Sequence, residues 1–357
     1  MLASHFRAFF LVLGLIFFIP NTLRASEEFD ILHHIQDAHE WHLWGEGHSG
    51  TSINLPIILF DKGLKCFSSE NFYQGKENTF TLKDGTVQSY LEGVGSAKGY
   101  ALSHEKIYKL NNGKLQFHGE HAVNEKPLDF SITKNVLSLF IGAFILLTLM
   151  LVTARYYKKN GAVAPRGLAK FIEPLILFVR DEVAIPNLPH GKHKKYIGFL
   201  TTVFFFILIN NLLGMIPVFP GGANLTGNIT VTFFLACCTL LITLFSGNKN
   251  YWKHIFATPG VPLALLPIMI PIEIVGIFTK PFALMIRLFA NMTAGHIIIL
   301  ALFSIIFLNK STGWAGLSVP MALFISLLEV LVAFLQAYLF SMLSALFIGA
   351  AVEDEHH

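Results

Sequence analysis

An apolar run from Pro267 to Leu308 carries Glu273, Lys280, Arg287, Asn291 and His296, and a second from Val319 to Val352 carries Glu329 and Gln336. At membrane depth an ionisable side chain costs several kcal/mol, about 3 for an arginine on insertion scales, and is read by default as functional. A guanidinium stays protonated at any working pH, so Arg287 cannot relay a proton. It can hold a carboxylate ionised and block protons from passing it. Imidazole and carboxyl groups do relay, which makes His296 and Glu329 the relay candidates, while Glu273, on the other side of Arg287 in sequence, can serve a second path. The chemistry is that of two access routes separated by a permanent cation. The plain alternative is that the charges pair with one another inside a helical bundle.

Helical phase sorts these groups. At about 100° per residue, Asn291 and Ala283 fall within about 40° of Arg287, as do Glu273 and Gly276 if Pro281 does not slip the phase. His296 falls on the opposite face, about 13 Å along the axis. Glu329 and Gln336 are seven residues apart and nearly superposed, so the last segment offers a Glu-Gln face to the one before it.

The elements that must position these residues are membrane helices. The chain has 357 residues, is 53% hydrophobic and 14% charged, and has a mean hydropathy of +0.57, which places it among multi-span membrane proteins. A net charge of +3 is too small to imply nucleic acid as a partner. Spans are predicted over 135–153, 197–218 and 229–245, followed by the two long segments 262–308 and 319–352. Both exceed the roughly 20 residues of an upright span, so they must tilt, kink or lie flat, with Pro267, Pro271 and Pro281 as kink points. The fold class is therefore an all-α polytopic membrane protein with five membrane helical segments, the last two long and tilted.

Residues 1–25 read as a signal peptide: Arg7, an apolar run from Ala8 to Ile19 too short to span comfortably, and a small-residue cleavage site near Ala25. Residues 26–130 form an acidic, small and mostly β domain, and 131–357 the membrane domain. Nine Lys and Arg lie between Arg155 and Lys195. By the positive-inside rule this puts that segment and the C-terminus in the cytoplasm and the N-terminal domain outside. Within it, GLAKFIEPLILFVRDEVA has one apolar face and is predicted to lie along the cytoplasmic membrane surface. Asn210 and Asn211 are expected to make interhelical hydrogen bonds. His33, His34, His39, His42 and His48 lack a ligand spacing, so a solvated segment outweighs a metal site. Cys66, Cys237 and Cys238 read as packing residues, and no cofactor is implied.

The runs PIEIVGIFTKPFALMIRLFANMTAGHIII and SLLEVLVAFLQAYLFSMLSALFIGAA resemble subunit a of the rotary F-type ATP synthase, with RLFANMTAG and LQAYLF the specific cores. IEPLILFVRDEVA, NLLGMIP and GNITVT resemble its earlier segments, so the likeness covers about 130–352. It implies a proton-translocating stator subunit, itself not an enzyme, in a bacterial inner membrane. The implied partners are a c-subunit ring, the subunit b peripheral stalk, the other synthase subunits and the lipid bilayer. Carried over, Arg287 faces the ring carboxylates, His296 and Glu329 form the polar pair of the outer half-channel lined by Asn291 and Gln336, and Glu273 belongs to the inner exit. Two departures stand out. A familiar bacterial arrangement has Glu and His in the reverse order at positions 296 and 329, and an acidic position of the family is here Gly214. The rival classes are a secondary ion transporter, which usually shows two related halves where this sequence has no internal repeat, and a membrane scaffold, which needs no Arg287.

Overall fold

The structure, a computed structural model, describes residues 37–44, 51–81, 87–111, 113–118, 121–161, 163–189, 191–216, 219, 221–256, 262, 265–308 and 312–353. The predicted signal peptide, His33, His34, His48 and Pro217 lie outside them.

The N-terminal part is built of short antiparallel strands: β1 (Glu40–Trp44), β2 (Thr51–Asn54), β3 (Pro56–Phe60), β4 (Leu64–Ser68), a helical turn α1 (Glu70–Tyr73), β5 (Glu77–Thr81), β6 (Val87–Glu92), β7 (Tyr100–Ser103), β8 (Lys106–Lys109), β9 (Phe117–His118), β10 (His121–Ala122) and β11 (Leu128–Asp129). β3 lies between β4 and β11 in one sheet, and β5 to β8 form a four-stranded meander. Period-two alternation explains the strands, since Ile57 and Leu59 are fully buried while Phe60 is exposed. Those two residues share a core with Phe67, Phe72, Tyr100, Leu102 and Ile107. Cys66 is exposed, so the reading of it as a packing residue fails.

The β7–β8 turn holds His104 and Glu105 at φ 47° and 57°, a left-handed pair suited to a two-residue hairpin. It brings Glu105 to His39, whose Nδ1 is 3.3 Å from Glu105 Oε2 and whose Nε2 is 3.5 Å from Asp129 Oδ2. Burial opposes a charge on His39, but hydrogen bonds to Asp129 and Glu105 outweigh it and raise the pKa to about 9. The same contact holds Asp129 below the usual carboxylate range against its own desolvation. Because the folded pKa lies above the unfolded one, this stabilisation is complete below about pH 6.5 and is lost as pH rises through about 9. Its size is on the order of 3 kcal/mol. In the intact protein the β-rich part should resist protease at pH 6 and become progressively cleavable towards pH 10. His39→Gln should be cleaved at all pH values with a flat profile, and a wild-type profile for that variant would refute the bridge.

Hydrogen bonds join the β part to the helices. Asp37 Oδ1 accepts from the amides of Ala38 at 3.1 Å and Asn135 at 3.0 Å, and Lys134 N–H donates to Ala38 O at 2.9 Å. Thr133 caps α2 (Lys134–Asn160) by accepting from Val136 N–H.

Beyond it run α3 (Ala169–Phe178), a π-helical turn (Val179–Ala184), α4 (Ile185–Asn187), α5 (His193–Met215), α6 (Ile229–Ser246), α7 (Lys249–Phe256), α8 (Leu266–Leu308) and α9 (Ala315–Val352). Five of these, α2, α5, α6, α8 and α9, are long and apolar enough to cross a membrane. The chain is thus a polytopic membrane protein with a small β region. α5 packs against α2 and α9, while α8 packs against α6 and α9. Their shared core contains Leu200, Phe204, Ile207, Leu288, Met292, Ala337 and Ile348. The apolar side chains left outside, such as Phe140, Phe144 and Leu147 of α2, suit a lipid solvent. α8 continues through Pro271 and Pro281, so neither ends the helix.

The segment predicted to lie along the cytoplasmic membrane surface packs part of its apolar face on the bundle. Val179, Val183 and Ala184 are fully buried, and the π-helical turn touches α5 and α9. Its charged residues Lys170, Arg180 and Asp181 stay exposed. Protein covers only part of the apolar stripe, since Leu168 and Phe171 are 52% and 73% exposed.

Candidate functional site

Helix α8 presents two faces. Leu284, Leu288 and Met292 are buried against the bundle, whereas Ala283, Arg287, Asn291 and Ala294 are exposed on the other side. Among the described residues Arg287 makes no hydrogen bond or ion pair. A cation in this position is surrounded by small side chains that allow close approach of another surface. Asn291, expected to line a path, stands one turn from Arg287 on this open face.

His296 turns inward, as its phase predicts. Its Nδ1 is 3.0 Å from Met292 O and 3.2 Å from Glu329 Oε1, and its Nε2 is 3.2 Å from Gly214 O. Both carbonyls are acceptors only, and Nδ1, with one proton at most, faces both Met292 O and Glu329 Oε1, so Glu329 Oε1 is buried without a hydrogen bond of its own beside the imidazole. The ring thus links α5, α8 and α9. Glu329 and Gln336 are both 6% exposed and lie two turns apart on the buried side of α9. Gly295 makes room for the carboxylate: a Cβ there would stand 2.7 Å from Glu329 Oε1.

Polar groups continue this cluster towards the β part. Asn211, fully buried on α5, donates from Nδ2 to Ala333 O of α9 at 3.5 Å and accepts from the Thr226 hydroxyl at 2.7 Å. Thr293 of α8 donates to Gly227 O at 3.5 Å. Asn211 makes the interhelical bond expected of it, but Asn210 donates within its own helix, to Phe206 O at 2.7 Å. Gly142 of α2 sits against Asn210, where a Cβ would be 2.3 Å from Oδ1. Thr226 and the Gly214 carbonyl were not foreseen as members of the cluster. The available signal was a loop of small polar residues without charge between two spans.

Glu273 lies apart, at the other end of α8. Fourteen residues separate it from Arg287, about 21 Å along a helix, in the direction opposite to His296. It is half-buried near α7, where burial and then the charge of Glu273 raise the phenol pKa of Tyr251. A cavity of about 20 Å³ opens beside it, lined by Thr243, Tyr251, Lys280 and Phe347 among others. That volume suffices for one water. Lys280 Nζ stands 5.7 Å from the centroid of the Phe347 ring. The geometry therefore sets an unpartnered cation between an inward-facing His-Glu cluster near one end of the bundle and a single carboxylate near the other.

Residues 136–349 match the family described as ATP synthase A chain, and residues 30–130 match one described as a domain of unknown function. The chain is 52% identical over 237 residues to "ATP synthase subunit a 2" of Chlorobaculum tepidum, covering 64% of this chain and 66% of that relative. It is 47% identical over 252 residues to "ATP synthase subunit a" of Myxococcus xanthus, covering 68% and 81%. It is 50% identical over 318 residues to "ATP synthase subunit a 2" of Prosthecochloris aestuarii, covering 86% and 93%, so that likeness extends into the β part.

Proposed function

We propose a mechanism that proceeds from one premise: the chain belongs to the ATP synthase A chain family, whose match covers more than half of it. As such it is the non-catalytic, proton-translocating stator subunit of the membrane sector of an F-type ATP synthase. The observation that carries the mechanism is the exposed, unpartnered Arg287, with the buried His296–Glu329 contact and Glu273 on opposite sides of it along α8.

The chain sits in a bacterial inner membrane. Its β part is outside after signal-peptide cleavage near Ala25, and its C-terminus is in the cytoplasm. Basic residues at the end of α2 and in 155–195 support this orientation. At 43 and 38 residues, α8 and α9 are about 64 and 57 Å long, roughly twice a 30 Å hydrocarbon core, so both run steeply tilted across it. The open face of α8, with Arg287 and Asn291, meets a ring of c subunits, while subunit b and the remaining stalk hold the chain still.

A proton entering from outside reaches His296 and Glu329 and passes to a ring carboxylate. Neutralised, that carboxyl group rotates into lipid without the penalty of a buried charge. After a turn of the ring it meets the inner route by Glu273 and releases its proton to the cytoplasm. Arg287 stabilises the bare carboxylate between the two routes and stops direct leakage. Each proton supplies about 2.3 kcal/mol per 100 mV, so several are needed for each ATP made elsewhere in the complex.

The open face is tested by oxidative cross-linking in membranes. A cysteine at exposed Asn291 or Ala294 of that face should form a disulfide with one placed beside the ring carboxylate, and a cysteine at buried Leu288 should not. Equal cross-linking from Leu288, or none from the exposed positions, would refute this assignment of the ring face.

A further inference from the structure

The proton path leaves the β part without a task, and the connection between α5 and α6 supplies one. Ala223, Leu225 and Thr226 of this connection are each 1% exposed, so that stretch of it is packed into the protein, while Phe219 stays 43% exposed. It touches the relay cluster at three points. Thr226 donates to Asn211 Oδ1 at 2.7 Å, and Gly227 O accepts from Thr293 at 3.5 Å. Ala223 O lies so close over Gly214 that a Cβ there would be 3.2 Å away, and Gly214 O is itself 3.2 Å from His296 Nε2. The connection therefore lies against the turn of α5 whose Gly214 O faces the His296 ring.

From the other side the same connection is met by the β part. Trp41 of β1, 3% exposed, packs edge-to-face on Phe219 with ring centroids 5.2 Å apart and planes at 73°. Trp41 is anchored. Two residues earlier His39 is held between Glu105 and Asp129, and four residues earlier Asp37 accepts from the first turn of α2. β1 thus links the start of α2 to Phe219, and residues 223–227 of the same connection touch the cluster around His296.

We propose that the β part braces the α5–α6 connection over the outer proton route, with Trp41 as a positioning residue for the His296–Glu329 relay. This inference rests on the reading of that pair as the outer route.

The test uses the whole complex in inverted vesicles, whose lumen corresponds to the cell exterior. ATP synthesis after acid loading is measured against lumen pH for Trp41→Ala, Trp41→Phe and Phe219→Ala, alongside the membrane content of this chain and of the ring proteolipid. Loss of one edge-to-face pair should slow synthesis about three-fold or more at normal subunit levels. The lumen-pH profile should shift in Trp41→Ala and Phe219→Ala, and Trp41→Phe should restore most of the rate. A merely structural role lowers the amount of complex without moving the profile of what remains. Wild-type rates and profiles in both alanine variants, or a loss that follows subunit content with an unshifted profile, would overturn the brace. If Trp41→Ala does not accumulate, Phe219→Ala, which leaves the β core intact, decides alone. Arg287→Ala run in parallel separates the failures. Coupled pumping retained there removes the relay reading itself, whereas its loss together with wild-type Trp41 and Phe219 variants removes only the brace.

Discussion

Arg287→Ala is expected to abolish ATP-driven acidification of inverted vesicles, with the coupled rate falling at least about a hundred-fold, the scale of removing one preorganised charge from the stabilisation of a reacting anion. The chain should still accumulate. Arg287 makes no hydrogen bond or ion pair among the described residues, and Leu284, Leu288 and Met292 hold α8 to the bundle from the opposite face. The loss is functional because nothing then stabilises a ring carboxylate that has shed its proton in a low-dielectric site, so the carboxyl stays protonated and the ring loses its directional step. The same substitution should raise passive proton conductance, since the barrier between the His296 side and the Glu273 side is gone. Arg287→Lys keeps a charge but replaces a planar, always-protonated fork by a compact ammonium that burial can deprotonate, so it should retain only a small fraction of coupling. A scaffold would tolerate the alanine, and a substrate transporter would lose uptake of its substrate without loss of ATP-driven pumping. Coupled pumping retained at normal subunit levels would end the stator reading.

Much of this was legible in the sequence because lipid is a strict solvent. An apolar helix needs about 20 residues to cross, so the five spans and the excess length of the last two follow from counting, and phase alone put His296 opposite Arg287. Phase does not give contacts between helices. That His296 sits within reach of Gly214 O depends on how α5 crosses α8, and the contribution of Gly214 is a carbonyl that every residue type has. Thr226 was hidden for a related reason. It lies in a connection, and its role arises from the buried Asn211 it faces. The segment 168–187 shows the limit from the other direction, since an amphipathic stripe does not say which of its residues protein covers: Val179 and Val183 are buried in the bundle, while Leu168 and Phe171 are exposed. The hold of Glu105 and Asp129 on His39 joins residues 66 and 90 positions away, and no local pattern announces it.

His296→Leu and Glu329→Gln are each expected to slow proton flux about ten-fold or more while leaving the complex assembled, the lower range of effects expected when a proton-transfer group is removed. The two should fail differently. Leucine at 296 removes the imidazole but leaves the Glu329 carboxyl in place, a group that can still exchange a proton. Some flux should therefore remain. Glutamine at 329 has no proton to pass at any pH, so its flux should stay low throughout. The reversed pair, His296→Glu with Glu329→His, keeps one acid and one imidazole in contact and should recover a substantial part of the flux that either single change loses. Gly295 limits how complete that recovery is, because the space it leaves is shaped for a carboxylate arriving from α9. Normal flux in both single variants at normal subunit levels would remove the pair from the proton path. Equal residual flux in the two would show that they act only as a structural contact between α8 and α9.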